Sequence, residues 1–258
     1  MSNFEFLTIL IISNFFIFLI IFFRSLLKKS PRLLIKYLFL PIIFTLILSL
    51  ILQSYLSISD ISSRQLIANT LILIWCLKTF YSYNSLKRTL LNDLLDGLRE
   101  SILRKEFLRI IQSLFRLSSI QFICFGSLFS INYLSGYSEL RILDILGIVI
   151  SIVGITIELL SEKELTRSSN NKSKIVTTGP WSHSRHPNLI GVFLFFLGVQ
   201  ILALNAVGSN WSLIGLFFLS FIIFRELIPK TEKKLNLKFP EYSSYMETVP
   251  KLFTLKLK

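Results

Sequence analysis

One stretch of the chain gathers most of the side chains suited to binding a charged ligand. Residues 177–191 read TTGPWSHSRHPNLIG and contain both histidines of the protein. Pro187 suits the first turn of a helix, where its missing N–H costs little. The start of this helix therefore lies next to Arg185, His186 and Asn188. A helix start offers unpaired N–H groups and a partial positive charge. Together with a guanidinium, this arrangement predicts a phosphate or carboxylate site.

Trp181 belongs to the same stretch and follows a turn enforced by Gly179-Pro180, because proline fixes φ and restricts the residue before it. Its indole could stack on an aromatic ring of a ligand. A second interpretation stays open, in which the stretch is an interfacial turn. Trp181 would then sit in the aromatic belt of a membrane, and Arg185 would bind lipid phosphate.

Three further ionisable residues fall inside or at the end of apolar segments, where charges are expensive. Lys78 follows Trp75 by three residues, and we expect its amine to extend to the membrane interface. Glu158 precedes Glu162 by one helical turn near the end of another segment. Its carboxylate could hold a ribose hydroxyl, pair with Arg185 or reach interfacial water.

Helices of membrane-spanning length must position these residues. The chain has 258 residues, of which 52% are hydrophobic and 17% charged, too apolar for an ordinary soluble domain. Continuous apolar runs without alternation favour helices over strands. The sequence predicts an all-α, polytopic membrane protein with one domain over residues 1–258. Its seven spans run roughly over 4–23, 37–56, 66–84, 110–133, 143–161, 188–206 and 211–228.

The placement of charge predicts the orientation of these spans. Of the 28 Lys and Arg residues, only Arg64 and Arg141 fall in the loops predicted on one side. The other side, including the C-terminus, would therefore be cytoplasmic, and stretch 177–191 would face the cytoplasm. Retention of Lys and Arg on the cytoplasmic side explains the net charge of +13, so nucleic-acid binding is not expected. Cys76 and Cys124 lie within apolar runs and predict neither a disulfide nor a metal site.

Three segments lie outside the predicted spans, and the sequence leaves the roles of two of them open. The mixed-charge run 85–109 predicts a helix that is either solvated or a lid over the ligand site, and 168–174 predicts a flexible connection. The tail after the last span alternates charged and apolar residues. It is expected to form a short amphipathic helix that covers the site or anchors to the membrane.

The motif in 177–191 resembles that of the steroid 5-alpha-reductase C-terminal-like membrane proteins. The resemblance rests on 178–181 and 184–191, and extends to Glu158 with Glu162, to Trp75 with Lys78, and to Glu232 with 240–245. It is specific over about 147–253, a cofactor-binding, reductase-like region, and faint over the helices of 1–146.

This resemblance implies a seven-helix fold that reduces an activated C=C bond of a steroid-like or other lipid with NADPH. Arg185, His186 and Asn188 would contact the phosphates and amide-bearing parts of the cofactor. Glu158, Glu162, Tyr242 and the Trp181 ring would line the same pocket. The sequence singles out no catalytic residue. The reductases usually continue this motif with an aromatic residue, a glycine and an acid, whereas here the residue after Gly191 is Val192 and the carboxylate is lost.

The same region also resembles isoprenylcysteine and phospholipid methyltransferases. Gly198-Val199-Gln200, Asn205 and Val249-Pro250 fit that group. The alternative function is therefore methyl transfer from S-adenosylmethionine to a phospholipid or an isoprenylcysteine. A second alternative is a membrane protein without enzymatic activity.

Overall fold

The structure, a computed structural model, describes residues 3–27, 37, 40–56, 61–86, 104, 106, 108–109, 112, 126–133, 139–168 and 175–252. Within these residues the chain is helical and contains no strand. The α-helices are α1 (Asn3–Leu27), α2 (Leu40–Leu56), α3 (Ser63–Leu86), α4 (Gly126–Tyr133), α5 (Ile142–Ser168), α6 (Pro187–Ala203), α7 (Leu213–Phe221), α8 (Ile228–Lys238) and α9 (Tyr242–Thr248). Short 3₁₀ turns occupy Gly179–Ser182 and Ser209–Ser212.

Several predicted spans coincide with observed helices, although the ends differ. α1, α2, α3 and α6 begin and end within about four residues of the prediction. α5 continues to Ser168, seven residues beyond the predicted end at 161, so Glu162 is helical. Much of the predicted span 110–133 lies outside the described residues, as do most of 85–109 and nearly all of 168–174.

Two helices of the described chain are long and apolar enough to cross a membrane, rather than the seven expected. They are Ile142–Ser168 and the continuous helical stretch Ser209–Lys238. Three shorter apolar helices accompany them, at Ile12–Ser25, Leu40–Ile51 and Pro187–Ala203. In each of the two long helices, only 28% of the most apolar 18-residue segment is buried inside the protein. Most of the apolar side chains of these helices therefore face outward. An outward apolar surface is typical of a membrane protein.

Within the described residues, α5 and α6 pack with their backbones in direct contact. A Cβ added to Gly147 would lie 2.7 Å from the Gly198 carbonyl oxygen, and one added to Gly154 would lie 2.7 Å from the Gly191 oxygen. The residue numbers rise along α5 as they fall along α6, so the two helices are antiparallel. Small residues let the backbones touch here. The end of α5 that carries Glu158 and Glu162 therefore lies beside the start of α6.

Aromatic side chains seal the interface between this pair and α3. Trp75 stacks on Phe195 with ring centroids 5.1 Å apart and an interplanar angle of 8°, and Phe196 meets Trp75 edge-on. Each of the three residues is at most 6% exposed. This packing fixes the face of α3 that carries Trp75 against α6.

A widened helical turn lies inside the long helical stretch Ser209–Lys238. Residues Ile222–Leu227 are π-helical, and Pro229 follows in the first turn of α8. Proline removes one helical N–H and its ring crowds the preceding turn, which a π turn accommodates. The extra residue rotates the following side chains by about 100° around the helix axis. α8 then leads into α9, which folds back against stretch 177–191.

A separate polar network ties together the far ends of the helices. The Arg64 guanidinium donates to both Asp144 carboxylate oxygens, at 2.7 and 3.1 Å, and the Asn205 amide donates to Asp144 at 2.8 Å. Asp144 is fully buried. In the same region the Asn69 and Asn132 amides exchange hydrogen bonds of 2.8 and 2.9 Å. These contacts join α3, α4, α5 and the chain after α6.

Candidate functional site

Gly179 and Pro180 form the turn before α6, and the Trp181 side chain attaches this turn to α5. Gly179 adopts φ +60°, which favours glycine, and Pro180 follows in the 3₁₀ turn. The Trp181 backbone N–H donates to the Thr178 carbonyl at 3.2 Å. Its indole N–H donates to the Ser161 carbonyl of α5 at 3.1 Å, and the ring is buried. Trp181 thus fixes the turn to the α5 backbone beside Glu162.

The tail closes over the other side of this turn. The Tyr245 hydroxyl donates to the Trp181 carbonyl at 2.5 Å and lies 3.4 Å from the Ser184 carbonyl. The Pro250 carbonyl accepts the Arg185 backbone N–H at 3.0 Å. The Lys251 carbonyl accepts the Ser184 hydroxyl at 3.3 Å. Of the two interpretations of the tail, the structure supports the one in which it folds onto the site.

Three cationic or donor side chains converge on one carboxylate. Arg185 Nη1 lies 3.0 Å from Glu232 Oε1, and His186 Nε2 lies 3.2 Å from the same oxygen. Lys251 Nζ lies 3.8 Å from Glu232 Oε2. We call these four residues the Glu232 cluster. Arg185 and Glu232 are 12% and 15% exposed, so the pair is largely shielded from water but still reachable.

Several buried polar atoms around the cluster have no partner among the described residues. They are Arg185 Nε, the Tyr242 hydroxyl and the Thr231 hydroxyl. The Asn188 side chain is 6% exposed, and within the described part of the chain it makes no hydrogen bond. Buried polar groups in folded proteins are normally hydrogen-bonded. Unpaired donors beside two cations fit an anionic ligand that also carries hydroxyl or amide groups.

Protonation states around the cluster follow from burial. Burial lowers the pKa of His186 from its ordinary value of 6.5, although the Glu232 carboxylate opposes the shift. Burial, reinforced by the Glu232 charge, raises the pKa of Tyr242 to about 12. The pKa of Tyr245 is also raised by burial. At neutral pH His186 therefore presents a neutral imidazole to the cluster, and the neighbouring Tyr242 and Tyr245 keep their phenolic protons.

A second group of charged side chains lies between α3 and α5. Lys78 Nζ lies 2.5 Å from Glu158 Oε1 and 3.1 Å from Glu162 Oε1. The Trp75 indole N–H donates to Glu158 Oε2 at 2.9 Å. All four side chains are about nine-tenths buried or more. We call them the Lys78 cluster.

This cluster corrects three sequence-based interpretations. Lys78 does not extend to an interface, because its side chain is only 6% exposed and two carboxylates hold its amine. Glu158 pairs with Lys78 and not with Arg185, whose carboxylate partner is Glu232. The interpretation in which Glu158 reaches interfacial water fails for the same reason, since the residue is 3% exposed. The sequence could not reveal these pairings, because about 80 residues separate Lys78 from Glu158.

The predicted site residues thus fall into two adjoining groups. Arg185, His186 and Tyr242 lie around Glu232, whereas Glu158 and Glu162 contact Lys78. Asn188 is buried in the first turn of α6, two residues after His186. Trp181 joins the groups through Ser161, the residue before Glu162. Sequence reasoning missed Lys251, for which the only signal was its place after Pro250. Glu232 entered only through the family resemblance, and its role as common acceptor was not foreseen.

Two residues that fitted the methyltransferase resemblance lie elsewhere. Gln200 exchanges hydrogen bonds with Ser212 and accepts the Ser127 hydroxyl at 2.5 Å. Asn205 donates to Asp144. Both belong to polar contacts at the end of α6 opposite to the turn, so neither adjoins Arg185.

The chain matches a family of known sequences. The profile of a family described as "Protein of unknown function (DUF1295)" matches residues 37–249. This range includes both clusters except Lys251. Comparisons with curated proteins and with solved structures gave no match.

Proposed function

From the premise that the chain belongs to the DUF1295 family, we propose that it is a membrane-embedded, NADPH-dependent reductase. Its substrate would be an activated C=C bond in a steroid-like or other lipid, as the resemblance to steroid 5-alpha-reductase C-terminal-like proteins implies. The bound dinucleotide would supply the hydride. The lipid would enter from the bilayer, beside the outward apolar faces of the long helices.

One observation carries the proposal: Arg185, His186 and Lys251 surround a single carboxylate, while buried donors beside them stay unpaired. Arg185 and Lys251 would hold the phosphates of the dinucleotide. The start of α6 adds the partial positive charge of a helix N-terminus. Two positive charges against one carboxylate leave a net attraction for an anion.

The remaining predicted residues would bind the less charged parts of the cofactor. Asn188 and Tyr242 offer an amide and a phenol to hydroxyl or carboxamide groups. Trp181 is already hydrogen-bonded and buried, so it would form a wall of the pocket and not a mobile stacking partner. Glu158 and Glu162, on α5 beside the turn that holds Trp181, would line the same pocket.

The proposed orientation follows from the distribution of charge. A seven-span topology with a cytoplasmic C-terminus would place stretch 177–191 where nucleotides are available. Labelling of single cysteines introduced near Arg141 and near Lys251 in intact cells would test it. We expect a membrane-impermeant maleimide to label the first and spare the second. The reverse pattern would contradict the orientation.

The Lys78 cluster gives the methyltransferase alternative a specific basis. Two carboxylates face one ammonium there, and a surplus buried negative charge would favour a cationic sulfonium such as that of S-adenosylmethionine. Against this alternative, Gln200 and Asn205 are occupied at the opposite end of α6. The anion-binding geometry of the Glu232 cluster therefore favours the reductase.

Thermal unfolding of the purified protein in detergent separates the possibilities. We expect NADPH to raise the melting temperature, since ligand at one hundred times its Kd adds about 2.7 kcal/mol of stability. Binding of S-adenosylmethionine without any response to NADPH would favour the methyltransferase. Failure of both ligands to shift the transition at millimolar concentration would favour a non-enzymatic protein.

Matched variants then test the site itself. Arg185→Ala should weaken NADPH binding by at least about tenfold, because hydrogen bonds to charged groups contribute about 1.5–3 kcal/mol. Tyr242→Phe removes an unpaired hydroxyl and should weaken binding without lowering the stability of the ligand-free protein. Tyr245→Phe is the matched control, because it removes structural hydrogen bonds and should lower stability instead. Unchanged NADPH affinity in Arg185→Ala would refute the proposed site.

A further inference from the structure

The Glu232 carboxylate takes the donors that a bound phosphate group would use. Its Oε1 lies 3.0 Å from Arg185 Nη1 and 3.2 Å from His186 Nε2, and its Oε2 lies 3.8 Å from Lys251 Nζ. An ionised carboxylate only accepts hydrogen bonds, so His186 presents Nε2–H to it. Guanidinium and N–H donors that converge on one oxygen are typical of sites for carboxylate or phosphate oxygens.

Two buried donors beside this carboxylate remain without a partner. Within the described residues, Arg185 Nε and the Tyr242 hydroxyl make no hydrogen bond, and Tyr242 is 2% exposed. The Glu232 charge helps to raise the pKa of Tyr242, so the phenol lies close to the carboxylate. Buried donors are normally paired. Glu232 therefore fills the site only in part, whereas a phosphate or diphosphate has enough oxygens to reach these donors as well.

One edge of the cluster is open to water. The Lys251 side chain is 46% exposed, and it contacts Glu232 through Oε2, so this oxygen lies on the open side. Rotation about the side-chain bonds of Glu232 moves the carboxylate between staggered positions without moving the backbone of α8. An anion can thus enter beside Lys251 and exchange with the carboxylate.

We propose that Glu232 is an internal competitor, whose carboxylate occupies the oxyanion position of the ligand-free protein and is displaced by the phosphates of the dinucleotide. The identity of the ligand rests on the proposed reductase function, whereas the exchange of one anion for another does not. Apparent affinity is then reduced by the fraction of molecules in which Glu232 is in place. Glu232 thereby sets the affinity of the site and keeps its cations paired when no ligand is bound.

A purely positioning role of Glu232 predicts the opposite sign. If the carboxylate stays in place and only orients Arg185 and His186 toward a ligand beside them, its removal weakens anion binding. If it is displaced by the ligand, its removal strengthens anion binding. The direction of the change therefore separates the two roles.

Isothermal titration of the full chain in detergent, first with inorganic pyrophosphate and then with NADPH, measures this direction. Glu232→Gln should bind both ligands about tenfold more tightly, the factor that one hydrogen bond to a charged group contributes. Glu226→Gln is the matched control, because it removes a carboxylate that pairs with the exposed Lys230 in the same helical stretch. Its affinities should stay within twofold of wild type. Weaker binding in Glu232→Gln would overturn the proposal.

Glu232→Asp separates displacement from the effect of charge. This variant keeps the negative charge, but its side chain is one methylene shorter and should no longer reach Arg185 and His186. Internal competition predicts that it also binds pyrophosphate more tightly than wild type. Wild-type affinity in Glu232→Asp would show that charge and not displacement weakens binding, and would overturn the proposal. This variant decides the question by itself if Glu232→Gln does not fold.

Failure of the proposed function gives a different pattern. If both Glu232 variants bind pyrophosphate more tightly but no form of the protein binds NADPH, the reductase proposal falls and the internal competition stands. If NADPH binds but neither variant binds it more tightly, the competition falls and the reductase proposal stands. If neither ligand binds any form at millimolar concentration, both fall.

Discussion

Gly191 of α6 lies directly against Gly154 of α5, with no space for a side chain on either residue. A Cβ on Gly191 would come within 2.7 Å of the Gly154 carbonyl oxygen and 2.8 Å of the Glu158 backbone nitrogen. Gly191 is also the last residue of the motif that begins the site. The motif therefore needs glycine at this position for the first turns of α6 to pack directly on the α5 backbone beside Glu158.

Gly191→Ala should lower the free energy of unfolding by about 1–3 kcal/mol, because the added methyl meets backbone that cannot move aside. Thermal unfolding in detergent measures this change. Gly126→Ala is the control, since its added methyl meets the exposed Trp211 ring at 3.3 Å and backbone no nearer than the Ser212 Cα at 3.8 Å. Equal losses in the two variants would contradict the close contact as the cause.

Lys78→Met should lower the free energy of unfolding by about 3–5 kcal/mol, because it leaves two buried carboxyls without their cation. The triple variant Lys78→Met, Glu158→Gln, Glu162→Gln should recover much of this loss. Lys230→Met is the control, since Lys230 pairs with Glu226 on an exposed helix face, where an ion pair contributes about 0–1 kcal/mol. Chemical or thermal unfolding compares all three, and a neutral Lys78→Met would contradict the ion pairing.

Glu232→Gln should lower the melting temperature, because it removes the carboxylate shared by Arg185, His186 and Lys251. A hydrogen bond to a charged group contributes about 1.5–3 kcal/mol. The matched control is Glu226→Gln, one and a half turns earlier in the same helical stretch, whose exposed pair with Lys230 contributes little. A larger loss in the control than in Glu232→Gln would contradict the proposed arrangement.

The buried state of His186 predicts a pH dependence. Its folded pKa lies below the ordinary value of 6.5 because burial disfavours the imidazolium. Below pH 6.5 the unfolded chain therefore binds a proton that the folded chain does not, and stability falls as the pH decreases. Unfolding measured from pH 7.5 downward should show this loss in the wild type and less of it in His186→Gln. His183→Gln, at the exposed neighbouring histidine, should retain the wild-type slope.

Asp144→Asn should destabilise the fold by about 3–5 kcal/mol, because it leaves the Arg64 guanidinium buried without its counter-ion. Asp144 lies near the opposite end of α5 from Glu162, so NADPH affinity should remain unchanged in the folded fraction. Replacing both Arg64 and Asp144 with leucine should recover stability. Thermal unfolding measures the loss of stability, and isothermal titration measures NADPH affinity. A loss of NADPH affinity in parallel with the loss of stability would contradict the prediction.

Local patterns in the sequence specified much of the helical structure. Uninterrupted apolar runs located α1, α2, α3, α5 and α6, and Pro187 marked the start of α6. The extension of α5 to Ser168 was missed, because its last two turns carry charged residues and no longer read as a membrane span. The π turn before Pro229 was also missed, since no local composition distinguishes it from an ordinary helix.

The sequence by itself determined which residues have the chemistry to form a site and that a turn would present them at a helix start. It could not determine their partners. Lys78 meets Glu158 and Glu162, and Arg185 meets Glu232, only because α3, α5, α6 and α8 pack together in one arrangement. Periodicity and turn signals are properties of neighbouring residues, whereas these ion pairs join residues that are distant in the chain. Tertiary packing alone decided that the candidate site consists of two adjoining charge clusters.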